Sequence, residues 1–223
     1  MKKHHFFKEK AKVPAFVLGE CVEEVKLDQH TVETILSKYR LERSRYILSV
    51  GRIVWYKGYD LLLHAWKHVE HVYNELKLVI VGKDYGYKSK LLKLIRKYNL
   101  RNVVFLEDVQ SMELHALYEG CLFAVSLSRF ETFHRIAIEA WSHKKPIVAL
   151  DLGPATRHIF NAKGGILTTD DPLSIIKAFF KLISNTKCCR ELGYNGYIAF
   201  KRNYSSEIYA KKLLTIYESL PLR

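Results

Sequence analysis

Short runs of Val, Ile and Leu alternate along the chain with longer segments in which apolar residues recur every three or four positions. The short runs predict strands at 45–50, 76–81, 103–106, 121–127 and 146–150, with a shorter one near Ile166. The longer segments predict helices at 31–39, 59–73, 89–98, 111–118, 133–142, 172–184, 187–202 and 205–220. Strands that alternate with helices are typical of a parallel sheet, so the predicted fold class is α/β, a doubly wound parallel sheet flanked by helices.

No internal repeat, low-complexity tract or linker rich in proline and glycine interrupts this pattern after the first strand. Residues 44–223 are therefore predicted to form one domain, which is long enough to bury a substantial core. Residues 1–43 are basic and irregular and contain a single predicted helix, so we expect them to form a leader that resembles an interdomain linker.

The composition is that of an ordinary globular protein, with 48% hydrophobic and 26% charged residues. No stretch reaches the roughly 18 to 20 apolar residues of a membrane helix, and the first residues lack the apolar core of a secretory signal. We therefore expect a cytoplasmic protein. The four cysteines lack metal-ligand spacing, so we predict reduced thiols, no metal site and no cofactor.

The chain is strongly basic, with 36 Lys plus Arg, 23 Asp plus Glu and a formal charge of +13. This balance favours an anionic partner such as a diphosphate ligand, an acidic membrane surface or a nucleic acid. Much of the excess lies on helical faces such as KSKLLKLIRKY, where lysines usually only solvate the surface. Nucleic-acid binding is not predicted, because no recognised nucleic-acid module is visible.

Polar residues and glycines collect where the predicted strands end. The segments concerned are Gly51-Arg52, Gly82-Lys83-Asp84, Glu107-Asp108-Val109, Ser128 to Glu131 and Asp151-Leu152-Gly153. In open α/β sheets, ligands bind beyond the carboxyl ends of the strands. One crevice is therefore expected to collect these segments.

The segment SRFETFHRIAIEA contains two carboxylates, Glu131 at the expected start of a helix and Glu139 eight residues later. Eight helical residues rise about 12 Å, which is too far for a carboxylate pair sharing one proton but suits two contacts along an extended ligand. The free N–H groups at such a helix start would also favour a phosphate. From the spacing alone, an N-capping Glu131 and a surface Glu139 are the favoured interpretation.

Two cations follow the first strand in GRIVWYKG. Arg52 and Lys57 could clamp a diphosphate, because arginine binds two oxygens at once and lysine adds a point charge. Each residue taken alone is better explained as an exposed surface cation. Together with Glu131 and Glu139, however, the pair suits the parts of a nucleoside diphosphate.

From residue 44 to 220 the sequence resembles the retaining GT-B glycosyltransferases of family 4. The resemblance rests on GRIVWYKGYDLLLHAW, KLVIVGKD, VVFLEDV, SRFETFHRIAIEA with its E-x7-E spacing, KKPIVALDLGP and YAKKLLTIYESL. It implies a Rossmann-like domain, the C-terminal half of a GT-B enzyme, that binds a nucleoside-diphosphate sugar and transfers its glycosyl group to an acceptor. The alternative is a non-catalytic module or sensor that binds nucleotide sugars.

The resemblance also implies roles for individual residues. Arg52, Lys57 and Glu131 would be catalytic, the two cations stabilising the departing diphosphate and Glu131 contacting the sugar. Glu139 would bind the ribose, and the main chain near Val109 would meet the base. The remaining donor-binding residues are expected to be Gly51, Gly82, Thr132, Phe133, His134 and Arg135.

The sequence departs from the family pattern beside Glu131. His134 stands where the family commonly has glycine, and Arg135 replaces a usual aliphatic residue. The two side chains would either obstruct a closely approaching diphosphate or supply two further phosphate donors. Both alternatives remain open at this stage.

The second departure concerns the acceptor. Enzymes of this family carry an N-terminal domain of comparable size that binds the acceptor, and residues 1–43 are too few to form one. We therefore expect a homo-oligomer or a separate acceptor-binding partner, with peripheral contact to a membrane surface as a further alternative.

Overall fold

Within residues 16–220, the part of the chain that the structure describes, six parallel strands form one sheet in the order β3-β2-β1-β4-β5-β6. This computed structural model places the strands at Tyr46–Val50 (β1), Lys77–Val81 (β2), Val103–Leu106 (β3), Ala124–Ser126 (β4), Ile147–Leu150 (β5) and Gly165–Thr168 (β6). The chain runs outward from β1 to β3 and then returns to β4 beside β1. The predicted doubly wound, Rossmann-like α/β fold is therefore confirmed.

The described part of the chain contains nine α-helices. They are Gln29–Lys38 (α1), Tyr59–Val72 (α2), Lys88–Lys97 (α3), Ser111–Gly120 (α4), Arg135–Ser142 (α5), Arg157–Ala162 (α6), Pro172–Ser184 (α7), Thr186–Asn203 (α8) and Ser206–Ser219 (α9). Short 3₁₀ turns lie at Trp55–Lys57 and Gly153–Ala155. The sequence pattern did not predict α6, since its six residues are too few for a clear helical period.

Each face of the sheet is covered by its own helical layer. Ile47 of β1 packs in a core with α2, α3 and α7, whereas its neighbour Leu48 packs in a second core with α1, α4, α5 and α8. Successive strand side chains point to opposite faces, so a strand buried on both sides must be apolar throughout. This explains the continuous Val, Ile and Leu runs of the sequence.

Part of the predicted leader packs on the second core. Val32 and Leu36 of α1 are buried there, and α1 lies against α4. Upstream, the amide of Val22 donates to the carbonyl of Tyr204 at 2.9 Å, so this segment lies beside the junction of α8 and α9. Residues 1–15 of the predicted leader lie outside the described residues.

No helix in residues 16–220 combines the length and the apolar character needed to cross a bilayer.

Candidate active site

Two glycines bring the loops at the carboxyl edge of the sheet into close contact. A Cβ atom on Gly82 would lie 2.0 Å from the carbonyl oxygen of Gly51, and one on Gly58 would lie 1.9 Å from that of Leu127. Both residues also have positive φ angles, 156° for Gly82 and 70° for Gly58. These positions therefore allow the ends of β1, β2 and β4 to meet at one place.

The loop after β1 is fixed to the loop after β4 by hydrogen bonds. The amide of Arg129 donates to the carbonyl of Tyr56 at 2.7 Å. The Arg129 guanidinium binds both carboxylate oxygens of Asp60, at 2.8 and 2.9 Å, and also the carbonyl of Trp55 at 3.0 Å. The hydrogen bond to Asp60 raises the pKa of Arg129, which stays charged.

Sequence reasoning missed the Arg129–Asp60 pair. The sequence offered only two separate charged residues, Arg129 after β4 and Asp60 in the first turn of α2. Their 69-residue separation, however, gives no local pattern.

The two loops place Lys57 against Glu131. The Lys57 ammonium forms an ion pair with the Glu131 carboxylate, and the two side chains are only 16% and 14% exposed. Beneath them, the phenol of Tyr59 donates to the carbonyl of Gly51 at 2.8 Å, and burial raises the pKa of this phenol. The structure thus brings together two of the three residues predicted to be catalytic.

Arg52, the third predicted catalytic residue, is exposed and lies on the same loop as Lys57. Its guanidinium donates to the phenol of Tyr56 at 2.8 Å and lies 5.7 Å from the centre of the Tyr85 ring. No carboxylate among the described residues forms an ion pair with Arg52. Its charge therefore remains available to an anionic ligand at the edge of the sheet.

Glu131 does not open a helix, which corrects the sequence prediction. Helix α5 begins at Arg135, and the preceding His134 has a ψ angle of 70°, outside the helical region. Residues 131–134 form an irregular loop because His134 turns its side chain into the core, where it is 1% exposed. The expected separation of about 12 Å between Glu131 and Glu139, which assumed a continuous helix, does not apply.

Glu139 of α5 is held by two side chains. It accepts a hydrogen bond from the phenol of Tyr118 at 2.9 Å and one from Nε of Arg135 at 3.0 Å. Arg135 also contacts Glu20 at 3.2 Å. Arg135 is therefore engaged with two carboxylates, those of Glu139 and Glu20.

The placement of His134 agrees with neither alternative from the sequence, obstruction of a diphosphate or donation to it. Neither of its ring nitrogens has a hydrogen-bond partner among residues 16–220. Burial, assisted by the nearby His158 and Lys57, lowers the pKa of His134 to about 3, so the ring is neutral. A buried neutral imidazole neither projects into the crevice nor offers a cationic donor there.

The other predicted donor-binding residues are spread over the same edge. Thr132 is exposed, whereas the Phe133 ring stacks on His158 at a centroid distance of 4.5 Å. Val109 is partly buried between β3 and α4 and packs against the second core. The described residues thus provide one guanidinium without a carboxylate partner, one ammonium–carboxylate pair and one oriented carboxylate, a set suited to an extended anionic ligand.

Known proteins share this fold. A glycosyltransferase from Rickettsia africae matches with a TM-score of 0.83 over 97% of this chain and 60% of its own, at 20% identity. Anabaena HepE, solved in complex with UDP and glucose, matches with a TM-score of 0.78 over 90% of this chain and 55% of its own, at 18% identity. At these identities the likeness concerns the fold alone.

Sequence comparison extends the likeness to the family. An uncharacterized glycosyltransferase of Methanocaldococcus jannaschii is 29% identical over 174 residues, which are 78% of this chain. The chain spans about half the length of this relative, 48%. The sequence model described as "Glycosyl transferases group 1" matches residues 32–199, most of the chain. The chain therefore belongs to the group 1 family of glycosyl transferases.

Proposed function

We propose that this chain is the donor-binding, C-terminal half of a retaining GT-B glycosyltransferase of family 4. It would bind a nucleoside-diphosphate sugar at the carboxyl edge of the sheet and transfer the sugar to an acceptor. The observation that carries the proposal is the Lys57–Glu131 ion pair between the loops after β1 and β4, with Arg52, which has no carboxylate partner among the described residues, on the same loop as Lys57. UDP and glucose bound to Anabaena HepE, which shares the fold, support the class of donor.

In this proposal the diphosphate binds between Arg52 and Lys57. Entry of the donor exchanges the Lys57–Glu131 pair for contacts of Lys57 with a phosphate oxygen and of Glu131 with a sugar hydroxyl. Glu139 accepts the ribose hydroxyls, the main chain near Val109 meets the base, and the amides of Thr132 and Phe133 face the phosphates. No metal is required, because the two cations supply the positive charge.

The proposed chemistry is a displacement on the leaving-group face of the sugar. The bond between the anomeric carbon and the diphosphate oxygen breaks, and a bond from the acceptor oxygen to that carbon forms. The acceptor hydroxyl proton passes to the departing phosphate oxygen. Arg52 and Lys57 stabilise the negative charge that develops on the diphosphate, which lowers the barrier more than it tightens donor binding.

The acceptor site is proposed to come from outside the described residues: a further domain, a second copy of the chain or a separate partner. The chain spans about half of its relative, which supports this division. The loops that bear Lys57 and Glu131 also expose large aromatic side chains, with Trp55 63% and Phe130 70% exposed. Exposed apolar groups beside a binding site are typical of contact surfaces, including contacts with a membrane.

A second candidate function is a sensor that binds a nucleotide sugar without transferring it. The ion pair between Lys57 and Glu131 favours this alternative, because it makes the charge of Lys57 unavailable until Glu131 moves. Both candidates share the donor site and differ only in turnover.

Calorimetry against UDP, UDP-glucose, GDP-mannose and ADP-glucose tests the proposal directly. We expect one nucleotide series to bind with micromolar to millimolar affinity, and its diphosphate sugar to be hydrolysed or transferred slowly. Binding without any turnover, even with sugar and lipid acceptors added, would favour the sensor. No heat of binding from any member at millimolar concentration would refute both candidates.

A further inference from the structure

A second cavity lies between α6 and α8, outside the proposed donor site. Its volume is about 640 Å³, within the range of small-molecule sites. Arg52, Lys57 and Glu131 do not line it. Phe133 does, because its ring turns away from the loop of Glu131 and stacks on His158 of α6.

The lining of this cavity is cationic. Arg157 of α6 and Arg202 of α8 are both exposed at its wall, and no aspartate or glutamate is among the described residues that line it. Neither arginine forms an ion pair with a carboxylate in residues 16–220. Two unpaired guanidinium groups that face one cavity attract a ligand with a compact negative charge, such as a phosphate.

His158 of α6 lies in the wall of the same cavity, with its ring stacked on Phe133. Its Nε2 atom is buried away from the cavity and has no hydrogen-bond partner within the described part of the chain. Burial lowers the pKa of His158. A phosphate bound in the cavity would favour the charged ring and raise this pKa, so His158 can report on occupancy.

Side-chain amides complete the lining. Asn161 of α6 and Asn195 of α8 both line the cavity, and among the described residues Nδ2 of Asn195 donates only to the carbonyl of Lys163, at 3.5 Å. Amides donate and accept hydrogen bonds, which suits hydroxyl groups. The stacked Phe133 and His158 rings provide a flat apolar surface beside them. A cavity for inorganic phosphate alone would need neither the amides nor this volume.

We propose that the cavity between α6 and α8 binds a phosphate ester of a sugar-sized, hydroxylated molecule. Arg157 and Arg202 bind the phosphate, and Asn161 and Asn195 bind hydroxyl groups. The assignment does not use the charged residues of the proposed donor site, Arg52, Lys57 and Glu131. Phe133 borders both sites, with its amide in the donor site and its ring in the cavity.

The test is an NMR titration of the full chain, labelled with ¹⁵N, with glucose 6-phosphate, inorganic phosphate and glucose. We expect saturable shifts of the His158 ring and of the Asn161 and Asn195 amides with glucose 6-phosphate. Inorganic phosphate should bind more weakly and glucose weakest. Occupancy of the cavity should also raise the pKa of His158. Ligand binding at the proposed donor site should leave this pKa unchanged.

Charge-removing variants separate the cavity from the rest of this basic protein. Arg157→Gln and Arg202→Gln should each weaken glucose 6-phosphate binding about tenfold or more, as expected for one charge-assisted hydrogen bond. Arg96→Gln on exposed α3 is the matched control, and Arg52→Gln reports the donor site; neither should change the His158 shifts. Equal binding in all four variants, loss of binding in Arg52→Gln, or a His158 ring that does not respond would overturn the proposal.

Discussion

The phenol of Tyr118 in α4 donates a hydrogen bond of 2.9 Å to the carboxylate of Glu139 in α5. Tyr118 is fully buried, and burial together with the Glu139 carboxylate raises the pKa of the phenol, which therefore stays protonated and donates. Arg135 binds the second carboxylate oxygen at 3.0 Å. Glu139 is thus oriented from two sides before any ligand arrives.

Replacement of Glu139 tests its proposed ribose contact. Glu139→Gln should weaken UDP binding by about 1 to 3 kcal/mol, because a hydrogen bond to a charged group is lost. Calorimetry measures the change. The control is a UDP analogue without ribose hydroxyls, for which Glu139→Gln should make no further difference. Tyr118→Phe, which keeps the carboxylate but removes its buried donor, should cost about 1 kcal/mol of UDP affinity. An unchanged UDP affinity in Glu139→Gln would exclude the ribose contact.

Arg52 is expected to act mainly in the transition state. Arg52→Gln should lower kcat about 10² to 10³-fold with a smaller change in donor affinity, because the diphosphate gains negative charge as the sugar departs. Steady-state kinetics of donor hydrolysis or transfer separate the two effects. Arg96→Gln removes the same charge from α3 and should leave kcat unchanged. A rise in KM with an unaltered kcat would assign Arg52 to donor binding only.

The Arg129–Asp60 pair should contribute to stability as well as to loop placement. Both side chains are about one-third exposed, at 31% and 30%, so screening by solvent limits their interaction. A double-mutant cycle with Arg129→Gln and Asp60→Asn, followed by urea unfolding, should give a coupling of about 1 kcal/mol. Coupling near zero would mean that the two loops are held by the backbone hydrogen bonds and glycine contacts alone.

Gly58 should tolerate no side chain. Gly58→Ala would place a methyl group 1.9 Å from the carbonyl oxygen of Leu127, in addition to the strain of a φ angle of 70°. The matched control is Gly86→Ala, which has a φ angle of 88° but no atom within 4 Å of the added carbon. Gly86→Ala should cost about 1 kcal/mol of unfolding free energy and Gly58→Ala clearly more. Equal costs in urea unfolding would show that β1 and β4 can separate freely here.

The buried His134 should make the protein sensitive to acid. Its pKa falls from the usual 6.5 to about 3 in the folded chain, so the unfolded chain takes up a proton first as the pH decreases. Stability is therefore complete above pH 6.5 and is lost progressively toward pH 3, by about 2 kcal/mol between pH 7 and pH 5.

His134→Leu separates this effect from other acid-sensitive groups. The variant lacks the titrating ring, so its unfolding free energy should depend less steeply on pH between 7 and 5. Urea unfolding at both pH values measures the difference. His158, whose pKa is also lowered by burial, should contribute in the same direction and leave a residual slope. Identical slopes in the two proteins would place the His134 ring in contact with water.

The sequence by itself determined the sheet and most of the helices. Strands such as β1 are buried on both faces and must be apolar throughout, and helices such as α2 bury one stripe, so each leaves a local period in the sequence. The sequence also indicated the candidate site, because glycines and charged residues such as Gly82 and Arg52 follow the strands directly. Short α6 left no such period and was missed.

Only the tertiary structure decided which side chains meet. Lys57 and Glu131 are separated by 74 residues and form an ion pair because β1 and β4 are neighbours in the sheet. The start of α5 was likewise decided by packing, since burial of His134 outweighs the helical pattern around it. Local periodicity reflects which residues each segment must bury. The pairing of distant charges and the direction of a loop side chain depend instead on which strands are neighbours in the sheet.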